Sequence, residues 1–335
     1  MSPAANPLLN TPGAAGRPLT ELHRRQGIGV LATLERKQAD IGQSNQDFLN
    51  NVLQKLHGGL EGRFRKFVDD QIRAIEDTKV KIKKRKGVIG FVRIFPQFSV
   101  AVENMLATAD TGLGVRRTVD REYERILKSM FDSLKVIARE NPSASASAAS
   151  SADPEDKEAL NFHILLIENM NHFLEEVDNE RGVEILGEWR EAAAGELAEH
   201  TGLYLNAVMR RPLGRLLEHL ENIEAQLTAG KSPSAVAAQP SNSKAIFNRV
   251  LGNYDSKEVR KGIETLRKRV EKHFGDADDP GLSKGLVNRV LRECEKFYGD
   301  VEVRISHITT SVYGGDVLFE WPRADVKSAF STVGR

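Results

Sequence analysis

From Asn45 almost to the C-terminus, apolar residues recur three and four positions apart, the spacing that lines one face of an α-helix. Leu49, Leu53, Leu56, Leu60, Phe64 and Phe67 open the pattern, and Ile72 and Ile75 continue it. Gly58, Gly59 and Gly62 fall in the middle of this stripe, where a kink or close packing is expected. Val119, Tyr123, Ile126, Met130, Leu134 and Ile137 form a second clean stripe. Between Leu160 and Val177 the apolar arc is wide enough for a helix inside a bundle. Helices over 184–209 and 212–227 come next. The Arg210-Arg211-Pro212 junction should end one and open the other, because a residue before proline avoids the helical region. Asp255 with Glu258 reads as a variant capping box ahead of Val259, Ile263, Leu266, Val270 and Phe274. Burying those five side chains contributes at most about 8–15 kcal/mol, at ~1.5–3 each. Ordering the helix costs a similar amount, so it needs a partner surface. The last long stripe is Leu286, Val290, Phe297, Val301, Ile305, Ile308 and Val312, ended by Gly314-Gly315. A tail with Phe319, Trp321 and Pro322 leads to a small helix around 324–330.

No run alternates as a strand would, so the fold class is all-α. Pro3, Pro7, Pro12 and Pro18 with several Gly and Ala mark residues 1–42 as a disordered leader. A helical bundle is expected over 43–230, interrupted by the Ser/Ala-rich loop 141–153. Asp153-Pro154-Glu155-Asp156 then reads as a helix start. Residues 231–243, with Pro233 and Pro240, form a linker, and 244–335 form a C-terminal bundle. Val88 to Leu106 is strongly apolar, with Pro96 marking a break or the first turn of a new helix.

Charge adds little globally. Lys and Arg total 48 against 47 Asp and Glu, so nucleic acid or membrane binding has to come from a local patch. The single cysteine, Cys294, excludes a disulfide within the chain and reads as a small buried hydrophobe. No apolar run approaches the ~18–20 residues that span a bilayer, and the N-terminus lacks a signal-peptide core. The reading is a soluble cytoplasmic protein.

Candidate chemistry is sparse. Gly27-Ile-Gly29-Val-Leu-Ala32 imitates a dinucleotide fingerprint, but polar residues stand where the strand should be. Gly230-Lys231-Ser232 imitates the end of a phosphate loop without its first glycine. Asp276, Asp278 and Gly281 occupy three positions of a calcium loop, yet Val287 stands where the bidentate Glu belongs. None of the eight histidines follows a carboxylate by three residues, and His163 and His172 read as core or boundary residues. No nucleophile has a motif context, so neither an enzyme, a metal, a cofactor nor a small-molecule substrate is expected. One local feature carries promise, the run KVKIKKRK, with Lys79, Lys81, Lys83, Lys84, Arg85 and Lys86. It suits a solvated helix end, an acidic partner protein or anionic lipid. Nucleic acid is disfavoured because no aromatic residues interleave with the charges.

Longer strings add a resemblance. RKFVDDQIRAIEDTKVKIKKRKGVIGFVRIFPQF (Arg65 to Phe98) and DPEDKEALNFHILLIENMNHFLEEVD (Asp153 to Asp178) are similar to the C-terminal region of the Sec-three subunit of the exocyst. So are RRPLGRLLEHLENIE (Arg210 to Glu224) and NYDSKEVRKGIETLRKRVEKHFGD (Asn253 to Asp276). The likeness covers most of Asn45 to the C-terminus, in the family's order, and looks closest to fungal members. It implies an elongated rod of consecutive helical bundles, as in other multisubunit tethering complexes. It also implies a non-enzymatic scaffold, peripheral at the plasma membrane at sites of polarised secretion, that holds secretory vesicles before fusion. The implied partners are other exocyst subunits, and anionic phospholipid only weakly. The family's N-terminal module, which looks like a pleckstrin-homology domain, and the coiled coil after it find no counterpart here. Lipid and GTPase binding by that module therefore do not carry over. The alternative expectation is a membrane-surface module that binds phosphoinositide through 79–86.

Overall fold

A computed structural model describes residues 18–42, 44–81, 87–107, 114–139, 157–177, 183–275, 280–317 and 319–331. Among these residues there are eleven α-helices and no strand. They are α1 (Pro18–Ile41), α2 (Asp47–Lys81), α3 (Gly90–Leu106), α4 (Gly114–Arg139), α5 (Lys157–Glu176) and α6 (Glu184–Thr228). After these come α7 (Pro233–Ala237), α8 (Lys244–Leu251), α9 (Ser256–Phe274), α10 (Pro280–Tyr313) and α11 (Arg323–Ser331). The helical stripes thus make an all-α fold, as the apolar spacing requires.

The chain forms two compact units, and two of the three boundaries between them fall inside α5 and α6, with none in the Pro-rich segment 231–243. The first comprises residues 1–142 and 165–198, the second 143–164 and 199–335.

In the first unit the α4 stripe is wholly buried, from Val119 at 0% exposure to Ile126 at 5%. It meets an aromatic core: Phe95 lies 5.9 Å from Tyr123 and 6.1 Å from Phe173, and Phe131 packs on Phe173 and Trp189. Such paired rings are worth about 0.5–1.5 kcal/mol each beyond their area. Pro96 neither breaks nor begins a helix, because it sits inside α3. Phe91, Val92, Ile94, Phe95 and Phe98 are buried around it. At roughly 1.5–3 kcal/mol per side chain their burial outweighs the ~3 kcal/mol cost of an interior proline.

The N-terminal leader differs from expectation in the same way. Residues 18–41 form α1, and Ile28, Leu31 and Ala32 bury one face of it. Gly27 and Gly29 masked that stripe in the sequence. At Gly29 α1 lies against α3, where an added Cβ would stand 3.9 Å from Met105, an ordinary contact. Glu35 fixes the arrangement, accepting the Val115 N–H at the start of α4 and contacting His57 of α2 at 2.8 Å.

In the second unit Val259, Ile263, Leu266, Val270 and Phe274 are all buried on α9, and the Asp255 carboxylate caps it by accepting the Glu258 N–H at 2.9 Å. Gly314 and Gly315, with φ of 66° and 84°, end α10. The expected linker 231–243 is ordered: Ser232 caps α7, and Val236 and Asn242 are fully buried. The Asn242 carbonyl accepts the Tyr313 hydroxyl at 2.6 Å. A Ser-Pro start and one buried valine suffice where the segment can lie on α10. The expected loop 141–153 and the helix start at Asp153–Asp156 lie outside the described residues, as do Asp276 and Asp278.

Candidate functional site

The basic run begins as α2 ends. Lys79 and Lys81 stand in its last turn, where only the backbone is described, and Lys83, Lys84, Arg85 and Lys86 lie outside the described residues. Directly after the run, Gly87 is buried with φ +89°, a left-handed conformation that favours glycine. Its N–H donates to Glu168 Oε2 at 2.7 Å. Asn169, fully buried on α5, accepts the Ile89 N–H at 2.8 Å and donates to the Gly87 carbonyl at 3.3 Å. Two polar side chains of α5 therefore fix Gly87 and Ile89 in the core of the first unit.

The first stripe of the chain divides at its middle. Phe64, Phe67 and Ile75 are buried, whereas Phe48, Leu49 and Leu56 are exposed. The N-terminal half of α2 thus presents apolar side chains outward.

The second unit carries a groove of about 320 Å³ between α6 and α9. It starts from Pro212. The sequence suggests two helices meeting there, but α6 runs unbroken from Glu184 to Thr228 with Pro212 inside it. Val208, Met209, Leu213, Leu216 and Leu217 are buried on either side, which keeps both halves helical. Proline bends a helix away from its own side. Arg210 and Glu221 carry the sign of that bend. They form a bidentate pair at 2.9 and 2.7 Å across eleven residues, about 16 Å of straight helix, on the face opposite Pro212. Two side chains bridge that rise comfortably only where the axis curves toward them.

The convex side carries Pro212 against α9 at Gly262. A Cβ on Gly262 would lie 3.3 Å from Pro212 Cβ, so glycine sets the close approach of the two helices. Tyr254 is buried beside them and accepts the Leu216 N–H at 3.2 Å, and burial pushes its hydroxyl pKa up. Pro212, Tyr254 and Leu266 give the groove an apolar floor. Arg211, Lys261 and Arg269 share its walls with one carboxylate, Glu258, and Asn253 and Thr265 stand between them. Arg211 and Lys261 are exposed. Position-by-position reading missed this site because Arg211 and Lys261 are fifty residues apart. Two signals pointed to it: a proline inside an otherwise helical stretch, and a mid-helix glycine in the cleanest stripe, which implies close backbone approach.

Other chemistry is weak. Burial pushes the Cys294 thiol pKa up to about 12, which keeps it protonated and unreactive. His163 and His200 face each other with Nδ1 atoms 3.1 Å apart against the Phe162 ring. His172 is buried. Among the described residues no group of three or more His, Cys, Asp or Glu is placed to hold a metal ion. No helix among them is long and apolar enough to cross a membrane.

Among the described residues the architecture is that of an all-α helical-bundle protein with a groove and an outward-facing apolar half-helix. The family model for "Exocyst complex component Sec3, C-terminal" matches residues 17–315, and the chain belongs to that family. It is similar to exocyst complex component 1 of Mus musculus, 24% identical over 75% of this chain and 26% of the relative. The protein of the same name from Drosophila melanogaster is 22% identical over 88% of this chain and 30% of the relative. That from Dictyostelium discoideum is 21% identical over 69% and 24%. The chain thus spans less than a third of the length of the curated relatives it matches. No solved structure matches it.

Proposed function

We propose that this chain is a non-enzymatic scaffold segment of the exocyst, which tethers secretory vesicles to the plasma membrane during exocytosis. The carrying observation is the family match across 17–315, which takes in every helix but the last. Both compact units support the reading, since each builds a rigid core and leaves distinctive faces outward. Its partners are other exocyst subunits, and its place is peripheral at the plasma membrane where secretion is polarised. The experiment is depletion with rescue. Loss of the protein should leave vesicles accumulated beneath sites of growth, and re-expression should clear them. Normal secretion after complete depletion would overturn the reading.

Within it, the run 79–86 is a secondary contact for anionic lipid, supported by six basic residues in eight. Sedimentation with phosphoinositide liposomes tests this: reversing Lys83, Lys84, Arg85 and Lys86 should abolish binding. Equal binding by wild type and variant would remove the idea.

A further inference from the structure

We infer that the α6–α9 groove is a docking site for an acidic segment of a partner protein, whose carboxylates meet Arg211 and Lys261 while an apolar side chain rests on the groove floor.

Neighbouring residues differ sharply in how their charge is met. Arg210 is held by Glu221, and Arg260 lies 3.8 Å from Asp325. The next residue in each case, Arg211 and Lys261, has no carboxylate within ion-pair distance and lines the same concavity. Their only acidic neighbour in the groove is Glu258, which makes an ion pair with neither. These two cations leave a local excess of positive charge in a chain whose overall net charge is only +1. A concave wall concentrates that field. Pro212, Tyr254 and Leu266 form a rigid apolar floor because the first sits at the bend of α6 and the other two are buried. About 320 Å³ accommodates a few side chains of a peptide. An arginine additionally offers a planar fork for a carboxylate, which favours Asp or Glu over a diffuse negative surface. The site is preformed, so binding requires little reorganisation of this chain.

The inference rests on the scaffold reading only in taking the partner to be a protein. The test is a random peptide library displayed on phage and selected on the immobilised full chain, wild type and R211E/K261E in parallel. Selected peptides are then synthesised and titrated by fluorescence anisotropy. Wild type should enrich peptides with clustered Asp and Glu beside an apolar residue, and binding should weaken as salt rises. The double variant should bind them at least about tenfold more weakly. K231E, in the turn after α6, should bind like wild type. Both groove positions are exposed, so unfolding is not expected. R211Q/K261Q provides a milder variant, and coincident thermal melts check the fold. Flotation with phosphatidylcholine vesicles, with and without phosphatidylinositol bisphosphate, separates the lipid source. The inference is overturned by enrichment without acidic bias, by equal affinity of wild type and double variant, or by vesicle binding that the double variant loses while no peptide binds. None of these results bears on exocyst membership, which secretion and co-purification score.

Discussion

Replacing Asn169 by leucine should loosen the junction between the basic run and α3. The two side chains are similar in size, so the change removes hydrogen bonds more than volume. In the native chain Asn169 accepts the Ile89 N–H at 2.8 Å and donates to the carbonyls of Gly87 at 3.3 Å and Leu165 at 2.8 Å. Asn169 is fully buried, Gly87 is buried and Ile89 is 5% exposed, so water does not readily replace these contacts. The variant leaves the Ile89 donor and the Gly87 acceptor without a side-chain partner, at about 1–3 kcal/mol each. The expected loss is therefore about 2–6 kcal/mol, localised at the start of α3. Hydrogen exchange followed by mass spectrometry reads it directly. Peptides covering 87–95 should lose protection by about thirtyfold or more, while α9 in the other unit keeps its own. Gly87→Ala should act in the same direction by about 1–2 kcal/mol, since φ is +89° there. Unchanged protection in both variants would refute the clamp.

Tyr298 is fully buried, and its hydroxyl has no hydrogen-bond partner. Tyr298→Phe should leave the melting temperature unchanged or raise it, because an unpaired buried hydroxyl costs about 1–3 kcal/mol; a clear fall would reveal a partner. Burial lowers the pKa of His163, with His200 adding to the effect and Glu199 opposing it, and burial likewise lowers that of His219. The fold then prefers both imidazoles neutral, so protons bind the unfolded chain first and stability declines as pH falls below about 6.5. Thermal melts between about pH 7.5 and 5.5 should show the decline, and His163→Gln with His219→Gln should flatten it. Leu56→Ser, on the outward half of α2, should shift stability by no more than about 0.5 kcal/mol, whereas Phe64→Ala should cost about 3–5 kcal/mol in denaturant titrations.

Much of the helical plan was legible because burial selects the periodicity itself. The stripes of α4 and α9, the Asp255 cap and the Gly314-Gly315 stop are local signals, and each appears in the fold. Elsewhere tertiary contacts outweighed local preference. α1 contains Gly27 and Gly29, and α3 and α6 contain Pro96 and Pro212, yet packing on neighbouring helices holds all three. The same limit applies to exposure. Leu56 and Phe64 belong to one stripe, but only Phe64 has a partner surface. The groove was the least visible feature, since no one-dimensional pattern joins Arg211 to Lys261. The resemblance in Arg210–Glu224 and Asn253–Asp276 did contain both its walls, without indicating that they face each other.

Affinity purification of the protein at native expression, with quantitative mass spectrometry of the co-purifying proteins, tests the central claim most directly. Other exocyst subunits should be recovered in amounts comparable to the bait. Recovery of the chain by itself, under conditions that keep the remaining subunits together, would contradict its role as a scaffold of that complex.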